Sequence, residues 1–501
     1  MPLLAARSGR RTGVSALPLL LAGAAVFGVA CHSSSSDTSP PPQGDAGPTG
    51  PRTCTIAAPA PPDWRLHADG TAFKDGLGRV IFLRGVDAGG RSKFAPYVPF
   101  DYAGTSDGYA TALGAYMDRA ARWGIDVLRV PFTWAALEPT QGMNDADWLS
   151  RFDQFLAAAW ARGIWTVVDF HQDVYSEVFC GDGFPGWTVP DAGPPHHDCS
   201  GWSFEYYNDA AMQAAFDRFW AAGSPVQAQY LAAWDVMLAR YKDTPGVLGF
   251  EPINEPGWGT ADEATFTSTT LTSFYSQIVP HFRAAAPSSL VFVDPPGADG
   301  AFDMTTLGQP QGDGVVFAPH YYPLSAGSSD EVMGLKVWSD VGTSWNVPVF
   351  VGEFGSPNTT PSNVDFMKAI FDALDQLGLA GTEWEYSVSA DSWNGEIDSL
   401  VDSDGGEFPI AQAVQRPFAR AVAGSNVTQS FDTTQNAYSL SFAPSGPGAG
   451  ITEVSVPKGP FPAGYALQLT GACVDATTVP GRLLLQPDPG ASTVTLNVTP
   501  K

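Results

Sequence analysis

The chain has 501 residues, 44% hydrophobic and 12% aromatic. That is enough for a barrel of roughly 250 to 400 residues plus a smaller module. Asp and Glu number 52 against 26 Lys and Arg, a net charge of −26; this argues against nucleic acid as a partner and against anionic membrane held by basic residues.

The N-terminus reads as a targeting segment. Arg7, Arg10 and Arg11 precede a small, apolar stretch from Val14 to Ala30, and Cys31 follows. This is a signal peptide rather than a fold element. Gly28-Val29-Ala30-Cys31 is lipobox-like, with Ser33 to Ser36 as a tether and Gly28 standing where Leu is usual. Lipidation of Cys31 is therefore expected, with ordinary cleavage as the alternative. The apolar run is too short and too rich in Gly and Ala for a membrane span. Residues 32–62 are Ser-, Pro- and Gly-rich and read as a disordered tether. The chain is expected to be exported, as a cell-envelope lipoprotein or a secreted protein, and monomeric.

From residue 63 short β-branched or aromatic runs alternate with longer amphipathic ones. The predicted strands are Val80–Val86, Val127–Pro131, Trp165–Phe170, Val247–Pro252, Leu290–Val293, Val315–Ala318, Val347–Val351 and Gly381–Trp384. Predicted helices include Tyr109–Trp123, Trp148–Arg162, Ala210–Tyr241, Thr267–Ala285 and Val364–Leu377. Eight alternating pairs over 63–420 predict an α/β fold, a (β/α)₈ barrel. A doubly wound sheet competes, but no Gly-rich phosphate loop follows the first strand. The segment from Asp173 to Asp209 is a long insertion after the third strand, where barrel loops shape active sites. Helical periodicity stops near Arg420. Residues 421–501 carry short alternating runs separated by Pro and Gly, which predicts an antiparallel β-sandwich. Its aromatics, Tyr438 and Tyr465 among them, are expected in its core, with the sandwich serving as packing partner for the barrel.

Setting Cys31 aside leaves Cys54, Cys180, Cys199 and Cys473, which should pair in an oxidising compartment. Three connectivities are possible. Cys180–Cys199 would close the long insertion and Cys54–Cys473 would tie the start of the ordered chain to the C-terminal module. A metal site is the alternative, against which stand the irregular spacing and the lack of a CxxC.

Working residues of a parallel barrel sit at the C-terminal ends of its strands. The predicted ends carry Asp87 and Lys93, Arg129, Asp169-Phe170-His171-Gln172-Asp173, Asn254-Glu255-Pro256, His320-Tyr321-Tyr322, Gly352-Glu353-Phe354-Gly355 and Glu383-Trp384-Glu385-Tyr386. Two of these, Glu255 and Glu353, end strands four and seven and can face each other across the barrel mouth. Glycoside hydrolysis needs two such carboxyls, about 5 to 5.5 Å apart for retention of configuration. A lone glutamate in this position is as readily a structural ion pair; the pair, with Asn254 and aromatics beside it, is not. His171 has a satisfied core histidine as its bland alternative, His196-His197 reads as a solvated loop, and Trp187 and Trp202 divide evenly between core and substrate platform.

Together Asn254-Glu255-Pro256, Gly352-Glu353-Phe354-Gly355, Leu128-Arg129-Val130-Pro131 and His320-Tyr321-Tyr322 resemble glycoside hydrolase family 5 of clan A, over about residues 65–420. The resemblance implies a retaining glycosidase with Glu255 as acid/base and Glu353 as nucleophile. Asn254 would bond the sugar 2-hydroxyl, Arg129 would keep the nucleophile ionised, His320 and Tyr322 would position sugar and nucleophile, and Trp384 would stack under the first sugar. Asp169 to Ser176 with Gly181 to Trp187, and the appended sandwich, resemble the endoglycoceramidase branch of that family. There His171, Asp173 and Lys93 would bind the first glucose, and Trp187 belongs to the substrate loop. The implied substrate is a glycolipid or another β-glucoside, with steryl or alkyl glucosides, β-glucan or mannan as alternatives. A glycan-binding surface lipoprotein is the non-enzymatic alternative, against which both glutamates stand. Two carboxylates suffice, so no metal or cofactor is implied. The chain departs from the branch at Arg91-Ser92-Lys93-Phe94, at the Cys180–Cys199 insertion and at His196-His197.

Overall fold

The computed structural model describes residues 50–501 apart from 58–62, 192–198, 200, 324–330, 359, 390–392, 394–395 and 447–449. The targeting segment with Cys31, most of the tether, and His196-His197 lie outside the described residues.

Eight parallel strands form the barrel: β1 (Arg84–Asp87), β2 (Val127–Phe132), β3 (Trp165–Phe170), β4 (Val247–Glu251), β5 (Leu290–Val293), β6 (Val315–Phe317), β7 (Phe350–Gly355) and β8 (Ala380–Trp384). They pair in the order β7-β8-β1-β2-β3-β4-β5-β6. The ends meet where the Phe317 N–H donates to Pro348 O at 3.0 Å and the Tyr321 N–H to Glu353 O at 2.8 Å, which closes the ring. The barrel interior holds Leu83, Val127, Val167, Leu248, Phe292 and Phe350, with Leu66 and Phe73 packed into the same cluster. Burial of each such side chain contributes about 1.5–3 kcal/mol, so the ring that carries the site is anchored by its own core.

Three elements differ from the sequence expectation, each for a local reason. The run Val80–Val86 is split: Val80–Ile81 pairs antiparallel with Phe418–Val422, and only Arg84–Asp87 joins the barrel. β-branched composition marks a strand but not its partner. Ala210–Tyr241 is two helices, Ala210–Trp220 and Pro225–Tyr241, because Pro225 lacks an N–H and restricts the residue before it, while Ser224 caps the second helix through Gln227. The seventh strand runs on to Gly355, so Glu353 lies inside it. Its pairing with β8 slips between Val351 and Phe354, one extra residue on β7, as in a bulge that re-aims a side chain.

Two antiparallel sheets accompany the barrel, the first drawing strands from both the N-terminal side and the C-terminal side of it. One has seven strands, ordered Leu66–Asp69, Ala72–Asp75, Val80–Ile81, Phe418–Val422, Thr452–Ser455, Arg482–Pro487 and Ala472–Asp475. The other has four: Gly424–Asp432, Ala437–Pro444, Val494–Pro500 and Tyr465–Thr470. Phe418, Tyr438, Leu440, Val454, Leu485 and Leu496 share one buried cluster between them, as inward-facing residues of a sandwich do.

Both expected disulfides form. Cys54–Cys473 spans 419 residues of sequence and Cys180–Cys199 spans 19. Closing the shorter loop restricts the unfolded chain by about 3 kcal/mol on the chain-entropy account. Replacing both Cys180 and Cys199 with Ser should lower the denaturant midpoint accordingly; an unmoved midpoint would show that the loop gains nothing from its crosslink.

Candidate active site

The site begins with a buried guanidinium. Arg129 on β2 is fully enclosed, and its donors are spread over carboxylates from other strands. Nε and Nη2 donate to Glu251 at 2.9 and 2.8 Å, Nη1 to Asp87 at 3.1 Å and to Glu353 at 2.7 Å, and Nη2 to Asn254 Oδ1 at 2.8 Å. Asp169 lies 3.1 Å from Nη2. A cation here is stable only because it is paired on every side. Its effect is to fix β1, β2, β4 and β7 relative to one another and to hold Glu353 in place.

Glu353 also accepts from the Tyr322 hydroxyl at 3.0 Å, and His320 Nδ1 stands 3.6 Å away. Burial pushes its carboxyl up, but the charges of His320 and Arg129, helped by His171 and Lys93, outweigh burial and hold it below the usual glutamate value. Tyr322 keeps its proton: burial and the neighbouring Glu353 raise it well above the ordinary phenol. Asp87 is raised well above the ordinary carboxyl by burial, with Arg129 working against it. Of the two carboxyls on Nη1, Glu353 is thus the one that stays ionised.

Glu255 follows β4 in the left-handed region, φ +38°, a conformation costly for a glutamate and found where function requires it. Its own N–H donates to Asp294 Oδ2 at 2.8 Å, and Oε1 meets His320 Nδ1 at 2.7 Å. Burial alone would lower His320, yet Asp294, Glu353 and Glu255 carry it to about 10. The 2.7 Å contact fixes the Glu255 carboxyl at the cavity wall. One carboxylate oxygen of Glu255 and one of Glu353 lie within 4.8 Å of each other. That closeness suits the retaining arrangement, in which the carboxyls stand about 5–5.5 Å apart.

Gly297 begins the helix Gly297–Phe302 after β5, and a Cβ there would sit 2.4 Å from the Glu255 carboxyl carbon. Gly297→Ala should therefore displace Glu255 and slow substrates with poor leaving groups by on the order of 10²-fold, within the range for a general acid. Activated aryl glycosides should be slowed much less in the same variant; equal slowing of both classes would refute this account.

The remaining expected residues gather on one side of the mouth. Gly90–Lys93 is a single 3-10 turn after β1 that delivers Lys93. Its Nζ donates to Asp173 at 2.7 Å and approaches Glu396 at 3.4 Å, and it lies 4.4 Å from the Trp384 ring and 4.0 Å from that of Trp393. Trp384 stacks on His171 at 5.3 Å and 9°. This is possible because Gly89 has no side chain: a Cβ would lie 2.4 Å from the indole. His171 Nδ1 faces Asp169 at 2.7 Å; burial lowers its pKa, but Asp169 and Asp173 raise it well above the usual histidine value. Burial pushes Asp173 up, and Lys93 and His171 bring it down to about 2. Asn254 spends its Oδ1 on Arg129 and one Nδ2 hydrogen on Gln172 O at 3.1 Å.

One expected residue is elsewhere. Trp187 does not line the cavity: its indole donates to Glu138 O at 3.1 Å and its ring stands edge-on to Trp134 at 5.1 Å. A tryptophan in a loop rich in Gly and Pro has the same spelling as framework and as platform, and here it is framework. Trp202, in the same insertion, lines the cavity instead. Sequence reasoning missed Glu251, Asp294, Trp258, Gly297, Phe302, Glu396 and Asp398. Asp294 and Glu251 carry a signal that could have found them, acids at barrel-strand ends; Phe302 and Asp398 carry none.

Three groups bring His and carboxylate atoms within 4.8 Å: His171, Asp173 and Asp182; Glu251, Asp294 and His320; and Glu255, His320 and Glu353.

The cavity lined by Lys93, Asp173, Glu255, Tyr322, Glu353 and Trp384 measures about 780 Å³. The sequence profile described as Cellulase (glycosyl hydrolase family 5) matches residues 95–390, more than half of the chain, and that of the glycoside hydrolase family 5 C-terminal domain matches 416–499. Endoglycoceramidase I of Rhodococcus hoagii (strain 103S) is 27% identical over 468 residues, 88% of this chain and 89% of its own. Endo-glycoceramidase II from Rhodococcus sp., solved with ganglioside GM3, superposes with a TM-score of 0.72 at 23% identity, covering 86% of this chain and all of that one. Cryptococcus neoformans sterylglucosidase 1 does so with a TM-score of 0.72 at 16% identity, covering 88% and 98%. The chain belongs to glycosyl hydrolase family 5, as a glycoside hydrolase whose paired carboxyls stand at the spacing of the retaining class.

Proposed function

We propose that the enzyme releases the glycan from a glycolipid by cutting the β-glucosidic bond to its lipid, with Glu353 as nucleophile and Glu255 as acid and then base. Glu353 attacks the anomeric carbon while Glu255 protonates the glycosidic oxygen. Water deprotonated by Glu255 then breaks the glycosyl ester and frees Glu353. Arg129 and Tyr322 hold the nucleophile, the spare Nδ2 hydrogen of Asn254 serves the sugar 2-hydroxyl, and Lys93, His171, Asp173 and Trp384 bind the first glucose. His320 contacts Glu255 at 2.7 Å and stands 3.6 Å from Glu353, so it positions both carboxyls.

The observation that carries the substrate is the wall on the acid side. The acid protonates the leaving oxygen, so the aglycone leaves along the side of Glu255. That side is apolar: Tyr207, Trp258, Ala298, Ala301 and Phe302 line it, with Phe302 and Tyr207 largely exposed. A polysaccharide subsite would want polar partners there, whereas a lipid loses water against such a wall. The relatives' names support the same choice of substrate. A steryl glucoside is the second reading, since a fused apolar ring system fits the same wall.

The test is to incubate the enzyme with lactosylceramide, a ganglioside, a steryl glucoside and a soluble β-glucan and to follow the released sugar. Oligosaccharide from a glycosphingolipid is expected; release from the β-glucan alone would sink the proposal.

We further propose export, supported by the targeting segment and the two disulfides, with a lipid on Cys31 holding a monomeric enzyme near its substrate. The domain limits of 63–420 and 421–501 belong to the same proposal. No helix among the described residues is long and apolar enough to cross a membrane.

A further inference from the structure

The barrel order puts β8 and β1 across the mouth from β4 and β5. The apolar wall stands over β4 and β5, so the cavity's opposite end is where the glycan extends beyond the first sugar. That end is built by Lys93 after β1, Trp202 from the insertion after β3, and Glu396 and Asp398 after β8. Trp202 stands edge-on to Trp393 at 4.7 Å, and Trp393 closes over the Lys93 ammonium. The single ammonium is already claimed by Asp173 and Glu396.

Two further facts set the chemistry of this end. Among the described residues lining the cavity, Lys93 is the one cation, against five carboxyls: Asp173, Glu255, Glu353, Glu396 and Asp398. In addition, Glu396 Oε2 and Asp398 Oδ1 are buried with no hydrogen-bond partner among the described residues. A buried oxygen left so is costly, and a sugar hydroxyl is the donor the location offers.

We propose that Glu396 and Asp398 are specificity-determining residues of a second-sugar subsite that accepts a neutral hexose and rejects one bearing an anionic substituent. A hydroxyl donates to either carboxyl whatever the rest of the cavity carries. A sulfate or carboxylate on that sugar cannot donate. It meets the Asp398 carboxylate at an end of the cavity whose one ammonium is already paired, inside a chain of net charge −26. Burial is the first cause that raises both acids, Glu396 to about 8 and Asp398 to about 6, with Lys93 opposing it. Near neutral pH Glu396 is thus a donor as well as an acceptor, which suits a neutral sugar and leaves Asp398 as the repelling charge. The inference rests on the reading of Glu255 and Glu353 as the cleavage point, and it is independent of what the lipid is.

Soluble aryl β-lactosides test it without any lipid. The expected result is a kcat/KM at least tenfold higher for the neutral aryl lactoside than for the same compound sulfated on its galactose, a ratio that narrows as NaCl is raised. In the Glu396→Gln/Asp398→Asn enzyme the ratio should fall to within about threefold, with the double change costing the lactoside more than the corresponding aryl glucoside. Equal kcat/KM for the two lactosides in the wild-type enzyme would overturn the proposal, as would a ratio unmoved by both salt and the double substitution. The wild-type ratio and its salt dependence decide the matter even if the double variant folds poorly. Failure of the glycolipid proposal would instead show as intact glycolipid beside readily cleaved aryl lactoside.

Discussion

Turnover by the Glu353→Gln enzyme is expected to fall by on the order of 10⁴-fold or more, because an amide cannot form the glycosyl ester on which double displacement depends. The substitution keeps the shape that Arg129 and Tyr322 grip, so folding should survive and the loss should lie in kcat. Hydrolysis of an aryl glucoside at near wild-type rate would remove Glu353 from the mechanism. The same residue sets a pH prediction. Its carboxyl is held below the usual glutamate value by His320 and Arg129 against burial. A group that works ionised and has a depressed pKa loses function only as pH falls through that depressed value. The acid limb of kcat/KM should therefore lie below the ordinary glutamate range of about 4.3. A limb lying above that range would contradict the charge arrangement around Glu353.

Glu255→Ala should divide the substrates by leaving group. A lipid alkoxide leaves poorly and needs the proton, so cleavage of a natural glycolipid should drop by roughly 10²–10⁴-fold. A dinitrophenyl glycoside leaves unaided, so formation of its glycosyl-enzyme should proceed, and a burst of phenol should appear ahead of slow turnover because the base for the second step is missing. The measurement is rapid-mixing kinetics of phenol release. Loss of the burst together with turnover would show that Glu255 is not the acid. Removing this side chain also frees His320 Nδ1 from its 2.7 Å partner, so the proton held near 10 loses one of the carboxylates that keep it there.

The chemistry of bond cleavage was legible in one dimension for a definite reason. Parallel barrels put strand ends on one rim, so Asn254-Glu255-Pro256 and Gly352-Glu353-Phe354-Gly355, each trailing an apolar run, were bound to meet whatever the detail of packing. Arg129 within β2 followed by the same logic, and so did His171 and Asp173 beyond β3. The alternation of eight apolar runs with helices determined the barrel, whereas the four cysteines left three pairings open, of which the expected one forms.

Other features depended on distances that no local spelling encodes. Val80–Val86 reads as one strand because Val80 to Leu83 and Val86 are apolar, yet its two halves pair into different sheets. Trp187 and Trp202 lie 15 positions apart in one insertion, and only the fold of that insertion turns the first against Trp134 and the second into the cavity. The partners around Glu255 and Glu353, namely Asp87, Glu251 and Asp294, are acids among 52 until burial strips them of water and the barrel sets them around Arg129 and His320. The bond to be cut was thus determined by sequence, since strand ends must converge. What lies on either side of it, an apolar wall at Phe302 and an acidic end at Asp398, was decided by tertiary structure, since loops from non-adjacent strands meet only when the ring closes.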